Sequence, residues 1–324
     1  MEIDSTSGQE GAVVDWLDTY LSGADWKVRR IPVTHGRDDL LATTSRDPVV
    51  TLSTHLDTVP PFIPPRLERD LLWGRGACDA KGIAAAMILA AERLRSNGFP
   101  VALLFVVGEE VSHDGAEAAN RVATTNRVLI NGEPTASTLA IGTKGAMRFT
   151  LRTRGQAAHS AYPQLGRSAI SELVQLLAEM EELDLPGDEQ LGDTTINIGM
   201  IEGGVADNVI APVAEARLMA RLVTPSATLA DVLRAWVRDR AELEIGITVE
   251  LARLASLSGF PTSVAAYATD IPKLHAWGTP YLFGPGSIHV AHRDDEHVNV
   301  NELRSAVDAY VRIAEQASAG HTRR

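Results

Sequence analysis

Short, unbroken apolar runs, each ending in charged residues, constrain this chain more than any other feature. Residues 48–54 are rich in β-branched side chains and run into His55-Leu56-Asp57. Residues 101–107 pass through Gly108 into Glu109-Glu110, and residues 127–130 lead into Asn131-Gly132-Glu133-Pro134-Thr135. Runs of this length without polar alternation read as strands buried on both faces. Between the first two, residues 82–95 are alanine-rich at helical spacing, which makes a strand, helix, strand unit. A further run at 280–283 predicts one more strand late in the chain. The pattern predicts an α/β fold, a mostly parallel sheet with helices on both faces.

Between residues 144 and 255 the pattern changes. Residues 147–153 and 213–223 alternate apolar with polar, as half-exposed antiparallel strands do, and helical spacing covers 167–183 and 227–243. This predicts a smaller α+β domain, residues 144–255, inserted into a first domain made of 1–143 and 256–324. The length of 324 residues suits two domains at roughly 150 residues each.

Composition narrows the partners. Lys and Arg total 30 against 42 Asp and Glu, a net charge of −12, which disfavours nucleic acid and anionic membranes. With 45% apolar and 22% charged residues the chain is neither disordered nor a heptad rod. Cys78 is the one cysteine, so no internal disulfide and no cysteine zinc site is available, and a metal would need His, Asp and Glu. The amino terminus has no basic region followed by an apolar stretch, so the expectation is no signal peptide and a cytoplasmic protein. The longest apolar runs fall well short of the roughly 20 residues that cross a bilayer.

Taken singly, each charged cluster has an ordinary explanation. His55-Leu56-Asp57 reads as a solvated loop, Asp79 as a helix N-cap, Glu133-Pro134 as a turn, and the segment around His292 as a solvated charge run. Their joint placement after strand-like runs changes the reading, because the carboxyl ends of the strands in an open α/β sheet form the ligand crevice. Imidazole with several carboxylates is a donor set for zinc, cobalt or manganese in a hydrolytic site. Five such donors exceed the four of one tetrahedral ion. Two ions about 3.5–4 Å apart, sharing one bridging carboxylate that Asp79 could supply, accommodate them. One of the two adjacent glutamates would then be free to act as a general base. Gly74-x-Gly76-x-x-Asp79 is no dinucleotide fingerprint, since an acid stands at the third glycine position. No Gly-x-Ser-x-Gly elbow is present.

Ser53-Thr54-His55-Leu56-Asp57-Thr58-Val59-Pro60, the segment from Gly74 to Gly82, Gly108-Glu109-Glu110, Gly132-Glu133-Pro134-Thr135 and Ala291-His292-x-x-Asp295-Glu296 resemble a known family. It is the co-catalytic dizinc amidohydrolase family of acetylornithine deacetylase, succinyl-diaminopimelate desuccinylase, aminoacylase and glutamate carboxypeptidase. The resemblance implies two zinc ions per subunit, with cobalt or manganese as substitutes. It implies that Asp79 bridges them, that His55 and Glu133 complete one site, and that Glu110 and His292 complete the other. Asp57 would orient His55, and Glu109 would be the general base toward a metal-bridging hydroxide. His289 and His297 flank His292, and only His292 fits the family's spacing.

The insertion resembles the family's lid and dimerisation domain, which implies a homodimer. His159, in Gly155-Gln156-Ala157-Ala158-His159-Ser160-Ala161, would stabilise the oxyanion in the partner subunit's site. Asn208 matches the family's Asn loop, and Arg221 falls where an arginine holds the substrate carboxylate, although Met219-Ala220-Arg221 departs from the usual Asp-x-Arg. Gly286 and Ser287 are further substrate-binding candidates. The segments Gly142-Thr143-Lys144-Gly145 and Gly284-Pro285-Gly286-Ser287-Ile288 look most like the acetylornithine or acetyl-lysine deacetylase branch, with arginine or lysine biosynthesis as its setting. The implied reaction is removal of an N-acyl group from an amino acid. The alternatives are a dipeptidase or carboxypeptidase of the same fold, and an inactive binding protein.

Overall fold

The computed structural model describes residues 1–44, 47–122 and 124–321. The chain divides into two compact units. The first comprises Met1–Ile141, Arg253–Ala265 and Thr269–Arg324, and the second Gly142–Ala252 with Ala266–Ala268.

In the first unit, strands Lys27–Thr34, Arg37–Thr43, Val101–Val106, Val50–His55, Val128–Asn131 and Thr279–Phe283 lie side by side in that order within a nine-stranded sheet. The last four are parallel neighbours, and the outer strands add antiparallel edges. Because His55 pairs with Val106, and Ser53 and Leu282 both pair with Asn131, the carboxyl ends of the four parallel strands finish almost level.

Val101–Val106 explains the layering. All six residues are buried, and successive side chains point to opposite faces. Leu103 and Phe105 join a core with Val14 and Leu17 of helix Gly11–Gly23, Met87 and Leu94 of helix Lys81–Ser96, and Tyr310 and Ile313 of helix Val300–His321. Leu104 and Val106 join a second core with Ala116 and Ala119 of helix Asp114–Asn120 and with Trp277. Helices therefore cover both faces, as the unbroken apolar run demands. No helix among the described residues is long and apolar enough to cross a membrane.

Helix Lys81–Ser96 begins two residues after Asp79, and a Cβ on Gly82 would collide with Ala77 O. Only glycine lets the helix start so close beneath the loop that carries the acid. Asp79 is not the helix N-cap that it would be if read in isolation. Ala80 takes that position without a side-chain bond, and the carboxylate of Asp79 is engaged elsewhere.

The second unit holds a four-stranded antiparallel sheet ordered Thr195–Gly203, Val213–Leu222, Gly145–Arg154, Glu242–Val249. Alternate residues Met147, Phe149, Leu151, Ala216, Leu218 and Ala220 face Leu173 and Leu177 of helix Ala169–Glu179 and Leu229, Leu233 and Val237 of helix Ser226–Val237. The helix expected over 227–243 stops at Val237, and Arg238 turns the chain at φ 52°. The segment Glu242–Val249 has a period of two and β-branched residues, and it pairs with Gly145–Arg154 as a strand. Around 167–183, Ser168 caps the helix by accepting the Ser171 N–H at 3.2 Å, and the helix ends in a single 3₁₀ turn, Met180–Glu182.

Replacing Phe105 by Ala removes a fully buried ring from the first of these cores and leaves a cavity. Denaturant unfolding is expected to show a loss of about 3–5 kcal/mol.

Candidate metal centre

His55 is the last residue of its strand, Glu109 and Glu110 follow Val101–Val106, Glu133 follows Val128–Asn131, and His292 lies on the segment after Thr279–Phe283. Asp79 sits on the loop entering helix Lys81–Ser96. The level strand ends, together with the Asp79 loop and the His292 segment, bring these six residues together in the first unit. Asp79 Oδ1 lies 3.0 Å from His55 Nε2, and its Oδ2 lies 3.4 Å from His292 Nε2. His292 Nε2 is also 3.0 Å from Glu110 Oε1, and Glu133 Oε2 stands 3.9 Å from His55 Nε2. One carboxylate thus faces two imidazoles, each with a further glutamate beside it. His297 is engaged elsewhere, since its ring packs on Trp73 at 4.4 Å and its Nδ1 bonds Asp295 O.

Two acids hold this arrangement from behind. Asp57 approaches His55 Nδ1 through its backbone oxygen at 2.9 Å and its carboxylate at 3.5 Å. The same carboxylate accepts the backbone N–H of Glu109 at 3.1 Å and of Glu110 at 3.2 Å, and the Ser7 hydroxyl at 2.8 Å. Asp57 therefore locks the glutamate pair as well as the imidazole. Glu296 performs the equivalent task for Asp79. Its Oε1 accepts the N–H groups of Gly76, Cys78 and Asp79 at 2.9, 3.1 and 3.1 Å, and its Oε2 pairs with buried Arg75 at 2.7 Å. The sequence carries Glu296 as part of a motif, but the partner of Arg75 lies 221 residues away and no local rule joins them.

The electrostatics call for cations. Burial pushes Glu109, Glu133 and Glu110 above the usual carboxylate range. Repulsion from Glu133 adds to this at Glu109, and repulsion from Asp79 adds at Glu133 and Glu110. Burial would raise Asp79 as well, but hydrogen bonds from His292 and His55 hold it low. His292, bonded to Asp79 and Glu110, is raised to about 10. Among the described residues, Glu133 Oε1 is buried without a hydrogen-bond partner. An orphaned carboxylate oxygen among crowded acids is the environment a divalent ion relieves. His55, Asp79 and Glu110 offer ligand atoms within 4.8 Å of one another, and the donor set fits such ions.

The remaining candidates have local contacts. Gly286 donates its N–H to Glu302 at 3.1 Å, and the Ser287 hydroxyl accepts the His289 N–H at 3.3 Å. In the second unit, His159 bridges to Val209 and the Ser160 N–H bonds Asn208 O at 2.9 Å, so the His159 and Asn208 loops adjoin. Arg221 lies on its strand opposite Thr195 and Ala146.

A Peptidase dimerisation domain model matches residues 141–245. A probable carboxypeptidase of Paracoccidioides lutzii is 38% identical over 98% of this chain and 83% of its own length. A peptidase M20 domain-containing protein of Schizosaccharomyces pombe is 38% identical over 97% of this chain and 82% of its own. A tripeptidase structure from Staphylococcus aureus superimposes with a TM-score of 0.82 at 20% identity, covering 98% and 95% of the two chains. The fold and the similarity together define a metal-dependent hydrolase. The chain belongs to the M20 peptidase family.

Replacing Glu296 by Ala frees three backbone N–H groups and leaves the buried Arg75 charge unpaired. A loss of about 3–5 kcal/mol is expected in thermal or denaturant unfolding.

Proposed function

We propose that the protein is a dimetal exopeptidase that hydrolyses the amide bond preceding a residue with a free carboxylate in short peptides, as a carboxypeptidase or dipeptidase does. The observation that carries this reading is Asp79, whose two oxygens face two separate imidazoles at 3.0 and 3.4 Å. The names of the similar proteins, probable carboxypeptidase and tripeptidase, support a peptide substrate. Glutamate rather than aspartate at position 133 accords with deacylases and carboxypeptidases over aminopeptidases.

M20 family metallopeptidases use a dinuclear metal site. In this chain Asp79 would bridge the pair, His55 and Glu133 would complete one ion, and Glu110 and His292 the other. Zinc is the proposed metal, and cobalt and manganese suit the same donors. When bound, the ions supply Lewis-acid polarisation of the scissile carbonyl and a water made acidic near neutral pH.

Glu109 takes the proton from the attacking water as its oxygen bonds to the carbonyl carbon. It then delivers that proton to the leaving nitrogen as the carbon–nitrogen bond breaks. Burial, which favours the protonated form of Glu109, suits this relay. Asp57 keeps Glu109 in place through its backbone N–H. On the second unit, His159 is proposed to stabilise the oxyanion across a dimer. Asn208, Arg221, Gly286 and Ser287 are proposed to bind substrate, with Arg221 on the carboxylate. Deacylation of an N-acyl amino acid such as N-acetylornithine or N-acetyl-lysine is a second reading. It needs the same chemistry, and the Gly284-Pro285-Gly286-Ser287-Ile288 segment favours it.

A homodimer accords with an unpaired edge. Strand Thr195–Gly203 ends the second unit's sheet and exposes Ile198, Met200 and Ile201, and Ile170 of helix Ala169–Glu179 lies against Gly203 and is itself exposed. An apolar edge strand beside an apolar helix face is a surface that a second copy can cover.

Zinc-loaded protein is expected to release the carboxyl-terminal residue from di- and tripeptides, and chelator is expected to stop it. Release confined to N-acetylornithine or N-acetyl-lysine would transfer the assignment to the deacetylase reading. Glu109→Gln should lower kcat by about 10²–10⁴ while bound metal stays constant, and near-normal turnover would remove Glu109 from its role. In sedimentation velocity, Ile201→Glu is expected to turn a dimer into a monomer.

A further inference from the structure

The Glu109 carboxylate has no hydrogen bond among the described residues, although its neighbour Glu110 is bonded to His292. A base that collects a proton at one atom and releases it at another has to swing, yet it must swing within a narrow arc. Glu133, Asp270 and Glu110 all repel Glu109, and His55 attracts it. Against its Oε1, at 3.9 Å, stands His113 Nδ1. The spacing is too long for a hydrogen bond and short enough for an ion–dipole or ion-pair attraction.

His113 is held firmly. Its Nδ1 lies 2.8 Å from Asp270 Oδ1, and both residues are buried. Asp270 is itself fixed, because its backbone oxygen accepts the N–H groups of Lys273 and Leu274. The backbone of His113 is left-handed at φ 57°, at the entrance to helix Asp114–Asn120, and its N–H bonds Gly108 O at 2.8 Å. That conformation is unfavourable for a residue with a Cβ and persists where the surroundings over-determine it, a condition that clusters at functional sites. The turn that begins at Gly108 therefore returns the chain so that the imidazole faces the glutamate four residues earlier.

We propose that His113, clamped by Asp270, is a positioning residue for Glu109: its imidazole edge limits the arc of the Glu109 carboxylate without bonding it. The proposal rests on the reading of Glu109 as the general base.

Three variants and one spectrum test it. His113→Gly removes the ring while its backbone accepts the left-handed turn. Its kcat should fall about 10–100-fold, the scale of a misplaced catalytic group, with KM and metal content little changed. His113→Asn, which tolerates the same backbone and keeps an N–H near the Nδ1 position, should recover most of that loss. In ¹⁵N-histidine-labelled protein the hydrogen-bonded Nδ1–H resonance of His113 should vanish in His113→Gly and shift in Glu109→Gln, a readout that needs no turnover. Wild-type kcat in His113→Gly, metal lost in step with activity, failure of Asn to rescue, or a resonance indifferent to Glu109→Gln would each overturn the positioning role. Normal turnover by Glu109→Gln would instead overturn the general-base reading beneath it.

Discussion

Asp79 presents one oxygen to His55 and the other to His292, and most of the first unit can be understood as the means of holding that carboxylate there. A loop alone could not. The segment from Gly74 to Ala80 has no regular structure of its own, and its backbone donors at Gly76, Cys78 and Asp79 converge on a single oxygen of Glu296. Glu296 in turn is neutralised by Arg75 inside the protein, where an unpaired charge would be costly. The helix that begins at Lys81 closes against the same loop through Gly82, so packing, hydrogen bonds and charge specify one position for Asp79.

The opposite wall obeys the same logic with different residues. Asp57 receives the backbone N–H groups of Glu109 and Glu110, so the glutamate pair is oriented by an acid that also touches His55. The two glutamates then diverge. Glu110 turns to His292, whereas Glu109, without a hydrogen bond among the described residues, stands within reach of His113. Under the proposed mechanism this divergence separates a residue that must stay still from one that must carry a proton. The crowding of buried carboxylates is the cost of such a site, and divalent cations are what offset it.

The parallel core strands are legible in the sequence because burial on both faces leaves an unbroken apolar signature, and the metal-binding candidates are legible because most of them come directly after such a strand. The strand at Glu242–Val249 is less so, since its alternation is short and Leu243 and Ile245 also fit the helical spacing that precedes them. The contacts of Glu296 with Arg75, and of Asp270 with His113, have no sequence signal. Each joins residues more than 150 positions apart, and either acid could equally have been a solvated surface charge.

The sequence by itself determined the α/β class, the acid and imidazole inventory and the family, because these depend on local periodicity and on residue types at fixed spacing. Tertiary structure alone decided that Asp79 faces two imidazoles and that Asp57 and Glu296 anchor the loops around it. It also decided that Glu109 stands beside a clamped histidine. Those relations depend on the register of parallel strands. In register, strand ends far apart in the chain come within hydrogen-bond distance, and a shift of one residue would turn their side chains to the other face.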